Sequence, residues 1–440
     1  MKEKGHGLNM KEGLRDLLKN PERYFGKGPW TIASAPGRAD FLNTHQDYKS
    51  LPVVPVGIDL RTFIFAKILN GNIFKIRSLN LEELKEPYMD SFRVGKNDML
   101  GKGWFGNYFR GIINVLVERG QAHKLKGLDV IIKSQIPVGS GLASSAALEI
   151  AFLKLLNHLF NLGYTNEDLA ETAYLAETRE VGVPCGRLDQ YGSVFGGIIK
   201  LECRYPYNVE QLPFTDLIFA IIDSGIKHAT KDIHPVRQEE INNGLKTLME
   251  SKKVSAKLKA KLGHRYDEPL WEKISEEEIA PYLSLLDEKA RKRFLYTLKT
   301  QKLTEFALRI LRHEIIESKE IVKRMDVGLA ETVMHKPIRE RNCWVLGKIM
   351  NQQHELLRDL YEVSLPELEK IREATIEAGA YGVKISGAGL GGSLIALVKD
   401  SSMGYKVLDV SLSAGAKQGW ISKVAPGAKI ESLQTQNSII

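Results

Sequence analysis

The residues of this chain able to do chemistry are two glycine-rich runs and a few charged side chains around them. The first run is Pro137-Val138-Gly139-Ser140-Gly141-Leu142-Ala143-Ser144-Ser145-Ala146-Ala147. Glycine lets a backbone approach a polyanion closely, and successive N–H groups can then point one way. The apolar helix predicted to follow offers its positive N-terminal end to the same anion. Ser144 and Ser145 add hydroxyls that can meet a phosphate or a magnesium ion. The run has neither the Gly-Lys-Ser/Thr of a Walker loop nor the GxGxxG spacing of a dinucleotide fold. Alone, it also suits a small-residue loop that merely packs tightly. The second run is Ser386-Gly387-Ala388-Gly389-Leu390-Gly391-Gly392-Ser393, between two predicted strands. It serves equally as an anion-facing turn or as a close-packing contact.

Two further segments carry polar groups. Within residues 35–48, Arg38, His45 and Asp47 crowd a predicted turn between strands. The set suits a polyhydroxylated ligand, because Asp accepts two hydroxyl hydrogen bonds while His accepts one and donates one. A polar loop closed by its own Asx-type bonds fits the same residues. In Gly182-Val183-Pro184-Cys185-Gly186-Arg187-Leu188-Asp189-Gln190 an acid stands between glycines beside an apolar run. Asp189 is thus a candidate general base, with an ordinary loop or cap acid as the plainer reading.

The elements that must position these groups follow from pattern. Residues 1–28 are polar and predict a helix and then a loop. A short strand is expected at 31–35, broken by Pro36-Gly37, and an edge or irregular strand at 51–58, which holds two prolines. Residues 62–69 make a better strand; Asn70-Gly71-Asn72 reads as a hairpin turn, with 73–77 as the partner. A helix at 108–117 stops at Gly120. Residues 128–134 alternate as a strand, and after the first glycine loop a strongly apolar helix spans 146–160. Another helix covers 166–180, with Thr165 as its cap. A central strand is expected at 214–223, a helix at 365–378, and strands at 383–386 and 393–398 around the second glycine run. Residues 236–320 are charge-rich with helical period, Lys-rich at 252–261, and read as solvated surface. The boundary between two α+β domains is placed near 205–215, giving domains 1–210 and 211–440.

Composition narrows the class. A chain of 440 residues with 43% apolar and 26% charged residues has the proportions of a soluble globular protein of two domains. Lys plus Arg is 62 and Asp plus Glu is 54, so the net charge is 62 − 54 = +8. That mild excess fits anionic small-molecule substrates. The charge-free stretches 134–148 and 385–398 fall short of the ~20 apolar residues of a membrane helix. The N-terminal residues lack the apolar core of a signal peptide, so a cytoplasmic location is expected. Cys185, Cys203 and Cys343 are an odd set without CxxC spacing, which disfavours a disulfide framework or a structural zinc site. The Lys-rich segment lacks interleaved aromatics, which argues against nucleic-acid binding.

On these motifs the chain resembles the GHMP kinases, and within them the galactokinases. All three family motifs occur in order across about residues 30–400. Closer likeness lies in Gly106-Asn107-Tyr108 after Trp104, in Pro184-Cys185-Gly186 before Leu188-Asp189-Gln190, and in Pro235-Val236-Arg237. It continues in Leu356-Leu357-Arg358-Asp359 and Glu362-Val363-Ser364-Leu365-Pro366-Glu367-Leu368. The resemblance implies an α+β, two-domain GHMP kinase fold, with an N-terminal ribosomal-protein-S5-like α/β domain and a C-terminal ferredoxin-like α+β domain. It also implies ATP- and Mg2+-dependent phosphorylation of the anomeric C1 hydroxyl of galactose or a similar monosaccharide, by a monomer or homodimer.

By position in the family motifs, Asp189 matches the base near the attacking hydroxyl, and Arg38 the arginine that pairs with it and faces the transferred phosphoryl. Ser144 or Ser145 with Glu177 match the magnesium ligands, and Trp104 a residue near the adenine. Pro137, Gly139, Ser140, Gly141, Leu142 and Ala143, with Gly387 and Gly389, match the nucleotide-binding loops. Thr44, His45, Asp47, Gly186 and His234 fall at sugar-binding positions. Two of these depart from the pattern. Asn43-Thr44-His45 replaces the usual Gly-Glu-His, removing the acid that binds the outer sugar hydroxyls, and His234 replaces a Tyr. Galacturonate, which a histidine could pair with, and arabinose, which lacks the C6 end, are therefore alternative substrates. A non-catalytic sugar-and-ATP sensor is the alternative of another class; Arg38, Asp189, Glu177 and the loop serines speak for catalysis.

Overall fold

Strand β1 (Thr31–Leu42) runs straight through the Pro36-Gly37 pair expected to break it. Its register against β2 (Val54–Ile68) shifts between Pro36 and Arg38 and again between Asp40 and Leu42, so the irregularity is absorbed as bulges. The two expected strands at 51–58 and 62–69 are largely one, β2, and it is central rather than at an edge. Strand β3 (Ile73–Ser78) is not its hairpin partner. It pairs instead with β4 (Met89–Arg93) and, in parallel, with β5 (Leu128–Ser134). Gly71 turns the chain, but the polar pattern of the turn could not reveal that β5 takes the place beside β2. Strands β6 (Ile199–Leu201) and β7 (Val209–Gln211) form a small ladder. A second sheet is built from β8 (Ile218–Asp223), β9 (Gly382–Ser386), β10 (Ser393–Val398) and β11 (Gln418–Lys423), in the order β11-β8-β10-β9. Strand β12 (Lys429–Ile430) returns to the first sheet, whose order is β12-β1-β2-β5-β3-β4.

This computed structural model describes residues 14–226, 230–324 and 335–431; residues 1–13 of the expected leading helix lie outside it. The helix Ser144–Phe160 packs on β1 and β2 and buries Ile150, Phe152, Leu153, Leu155 and Leu156 completely. Each such side chain contributes roughly 1.5–3 kcal/mol of burial, which anchors this helix firmly on the sheet. Thr165 closes a capping box on the helix Asn166–Leu175, and a π turn at Ala176–Glu180 carries Glu177.

The charged stretch 236–320 is more than solvated surface. The helices Thr230–Glu250 and Glu288–Leu311 bury Ile241, Leu245, Leu248 and Phe294 around Trp271 and Leu51. Arg293 is fully buried, its Nε 2.6 Å from Glu240 Oε2 and its Nη2 2.6 Å from Glu362 Oε2. Helix Glu288–Leu311 backs the loop after β1: the Tyr296 hydroxyl donates to the Thr44 carbonyl at 2.6 Å, and Gln46 Nε2 donates to the Thr297 carbonyl at 2.9 Å. No helix of the described residues is long and apolar enough to cross a membrane.

Candidate active site

Arg38, near the middle of β1, is the hub. Its Nε and Nη2 both donate to Asp189 Oδ1, at 3.0 and 2.6 Å, while Nη1 donates to the Gly141 carbonyl at 2.6 Å. Asp189 stands in the first turn of the helix Leu188–Phe195, so two sequence-distant motifs and the first glycine loop meet on one guanidinium. Burial works against the charge on Arg38, but Asp189 and Asp40 outweigh it and raise its pKa. The arginine is therefore a fixed cation. Three of its five N–H groups are occupied by these bonds, leaving two for other acceptors.

The first glycine loop takes the shape its glycines allow. Gly139 and Gly141 both have φ of +75°, and Ala143 is left-handed as well, immediately before the helix begins at Ser144. Ser140 Oγ donates to the Pro137 carbonyl at 2.8 Å, and Ser393 Oγ donates to the Ser140 carbonyl at 2.7 Å. The second glycine loop approaches closely: a Cβ built on Gly387 would lie 3.6 Å from Gly141 Cα. The two runs thus meet at a helix N-terminus.

Beside this loop lies an acidic cluster. Glu177 is held by the Ser145 hydroxyl and by Gln190, whose Nε2 donates to Oε2 at 2.6 Å. Burial, then the charge of Asp189, push Glu177 up to about 7. Beneath it the fully buried Glu149 has two carboxyl oxygens without a hydrogen-bond partner, and burial with Glu177 holds its pKa well above the usual range. Among the described residues no three His, Cys, Asp or Glu side chains form a ready metal cage. Magnesium needs no such cage, since one or two carboxylates and hydroxyls suffice beside substrate phosphates. The hard oxygen donors of Ser145 and Glu177, and the uncompensated buried acid behind them, fit that ion.

Asp47, Gly186, His45 and His234 gather nearby. A Cβ on Gly186 would fall 2.0 Å from Asp47 Oδ2, so only glycine lets residues 184–188 approach that carboxylate. Burial raises the pKa of Asp47 and His234 opposes it, while Asp40 and Asp189 add to the rise. His45 has φ of +62° and its Nε2 lies 3.0 Å from the Ala388 carbonyl. Burial, then His234 and Lys49, hold the His45 pKa well below its ordinary value, so the ring is neutral and Nε2–H is the donor. The His234 ring is 5.2 Å from that of His45 and 5.3 Å from that of Tyr48. Asn43, where the family pattern has Gly, keeps a left-handed φ of +64°.

Thr44 is 3% exposed, and its Oγ1 accepts from the fully buried Lys384 Nζ at 2.8 Å. Burial, against Asp40, brings Lys384 down to about 8. Sequence reasoning missed Lys384, Asp40, Glu149 and Lys49. Lys49 Nζ lies 4.6 Å from the Tyr361 ring centroid and 4.8 Å from that of Tyr296, beneath Tyr48. Nothing local marks such residues, since Lys384 and its acceptors at 40 and 44 are more than 300 positions apart. Trp104 is held by other contacts: its indole N–H donates to Asp90 Oδ2 at 3.0 Å, and Asp90 is paired with Arg110 at 2.6 Å.

Comparison with known proteins places this geometry. Residues 107–197 match the GHMP kinases N terminal domain, residues 338–410 the GHMP kinases C terminal domain, and residues 22–68 the galactokinase galactose-binding signature. The chain is 30% identical over 386 residues to the galactokinase of Chloroflexus aggregans, covering 86% of each chain. It is 29% identical over 394 residues to that of Roseiflexus sp., covering 88% of each. Among solved structures, that of Lactococcus lactis galactokinase complexed with galactose superposes with a TM-score of 0.73 at 25% identity, over 95% of this chain and 99% of the other. The mevalonate kinase of L. major, at 18% identity and a TM-score of 0.57 over 91% of this chain and 97% of the other, shares the fold alone. With the motif residues gathered around Arg38 and these relatives spanning most of its length, the chain belongs to the galactokinase family of the GHMP kinases.

Proposed function

We propose that this protein is an ATP- and Mg2+-dependent kinase that phosphorylates the anomeric C1 hydroxyl of galactose or a galactose-like sugar. The observation that carries this reading is the Arg38–Asp189 pair, set between two glycine loops on one side and Asp47 with His45 on the other. Asp189 accepts the proton of the attacking hydroxyl. Arg38 holds that acid in place and offsets the charge that develops on the transferred phosphoryl group. Asp47, His45 and the backbone at Gly186 bind and orient the sugar hydroxyls. The N–H groups of residues 139–145 and of Gly389 hold the phosphates, with Gly387 bringing its loop against Gly141, so that most of the catalysis is positioning and electrostatics. Ser145 and Glu177, with Ser144 beside them, would hold the magnesium ion, which when bound neutralises phosphate charge. The indole of Trp104, oriented by Asp90, stacks on the adenine.

A hexuronic acid such as galacturonate is a second reading, favoured by one observation. Where galactokinases carry an acid, this chain has Thr44, whose hydroxyl is held by Lys384 Nζ at 2.8 Å, so no carboxylate stands at that position to repel an acidic sugar. A coupled ADP-release assay with ATP, magnesium and a panel of galactose, galacturonate, glucose, N-acetylgalactosamine and L-arabinose tests both readings. Turnover of galactose supports the first, turnover confined to galacturonate the second. ATP binding with silence across the panel contradicts both.

A further inference from the structure

Asp40 is a buried acid that the sugar and phosphate contacts leave unexplained. It is 6% exposed, and its polar atoms join β1 to β9 and the glycine loop behind it. Its N–H donates to Ser386 Oγ at 2.9 Å. Its carbonyl accepts from Lys384 Nζ at 2.7 Å, and the same ammonium also binds Thr44 Oγ1 and the Ile385 carbonyl. Oδ2 accepts the Gly387 N–H at 3.2 Å. Oδ1 has no hydrogen-bond partner and lies 3.2 Å from Arg38 Nη1 as an ion pair. Arg38 and Asp40 are two residues apart on one strand, so their side chains share a face, and the bulges on either side fix that stretch locally. A continuous polar path therefore leads from Gly387 through Asp40 to Arg38 and on to Asp189.

We infer that Asp40 is a positioning residue for phosphoryl transfer, which aligns Arg38 against Asp189 and makes that alignment depend on the second glycine loop being in place. The inference rests on the sugar-kinase reading above. Its physical core is that a carboxylate is negative at both oxygens: Oδ2 accepts the loop N–H, and Oδ1 attracts the arginine as an ion pair. An asparagine accepts at one only, and its amide group then faces a donor at the other. Asp40→Asn keeps the shape and breaks the connection.

The test is a double-mutant cycle on the full chain, with Asp40→Asn and Arg38→Lys alone and together, measured with the sugar that the wild type phosphorylates. The expected result is a kcat lower by about tenfold or more for Asp40→Asn, with sugar KM and ATP Kd within about threefold. Added to Arg38→Lys, Asp40→Asn should cost nothing further, because the arginine it aligns is gone. Ser386→Ala, which removes the acceptor of the Asp40 N–H, should show a smaller loss with the same dependence on Arg38, and carries the test if Asp40→Asn does not fold. Unchanged kcat, or losses that multiply in the double variant, would overturn the role of Asp40. A silent wild type would instead overturn the kinase reading, and the inference with it.

Discussion

Replacing Asp189 by Asn isolates the proton acceptor from the rest of the site. Arg38 sends both Nε and Nη2 to the same oxygen, Oδ1, at 3.0 and 2.6 Å, and leaves Oδ2 outside the pair. In the Asn variant the amide oxygen takes the Oδ1 place and still accepts both donors. The amide NH2 then occupies the place of Oδ2, so a donor stands where the sugar proton must be received. A positioned general base contributes about 10²–10⁴ in rate, or about 2.7–5.4 kcal/mol of barrier. Exchanging a charged acceptor for a neutral one costs only about 1–2 kcal/mol of stability, since both hydrogen bonds persist. The expected outcome is a kcat lowered by about 10²–10⁴, with ATP Kd within about threefold and a folded protein. Single-turnover kinetics with ATP titration calorimetry and a melting curve check the three quantities together. A variant within tenfold of wild-type turnover would refute the assignment of Asp189 as base, as would loss of ATP binding in step with turnover.

Three other perturbations follow from the same geometry. Thr44→Glu sets a carboxylate against Lys384 and should shift the kcat/KM ratio of galactose over galacturonate upward by about 10–100-fold, the weight of ~1.5–3 kcal/mol for a charged hydrogen bond; an unchanged ratio would show that residue 44 does not read the C6 end. Trp104→Ala should weaken ATP binding by about tenfold, at the lower end of ~1–3 kcal/mol for stacking a base, without changing sugar KM; equal ATP affinity by calorimetry would remove the indole from the nucleotide site. His354 is buried, its Nε2 2.7 Å from Glu369 Oε1, and it accepts the Ile385 N–H at Nδ1; burial brings its pKa down to about 4 although the Glu369 carboxylate opposes the fall. The unfolded imidazole takes its proton near 6.5, so the unfolded state binds more protons below that pH, and stability is lost as pH falls from about 6.5 toward 4, by up to ~3 kcal/mol. Melting curves between pH 7 and 4.5 should slope less in His354→Gln; an identical slope would contradict this.

The motifs were legible because their information is local. The glycine runs, the buried helix after the first, the Thr165 cap and the strands β9 and β10 flanking the second run each follow from composition and period within a dozen residues. What depends on partners far along the chain was not legible. The parallel place of β3 beside β5, the return of β12 to β1, and the passage of β1 through Pro36-Gly37 are settled by the whole sheet. The same holds for the polar support of the site. Lys384 reads as a strand residue until its strand is laid against Asp40 and Thr44. Arg293 reads as one more charge on a solvated helix until Glu240 and Glu362 close over it. Residues 236–320 look like surface because their apolar positions are diluted by lysine and glutamate, yet they supply Tyr296 and Thr297 under Thr44 and Gln46.

The central claim is that a sugar hydroxyl at C1, brought between Asp189 and Arg38, receives the phosphoryl group. Phosphorus NMR of the product made from ATP and the preferred sugar tests it most directly. The account predicts a sugar phosphate whose phosphorus couples to the anomeric proton, formed in step with ADP. Phosphate on any other hydroxyl, or ADP formed without a phosphorylated sugar, would contradict it.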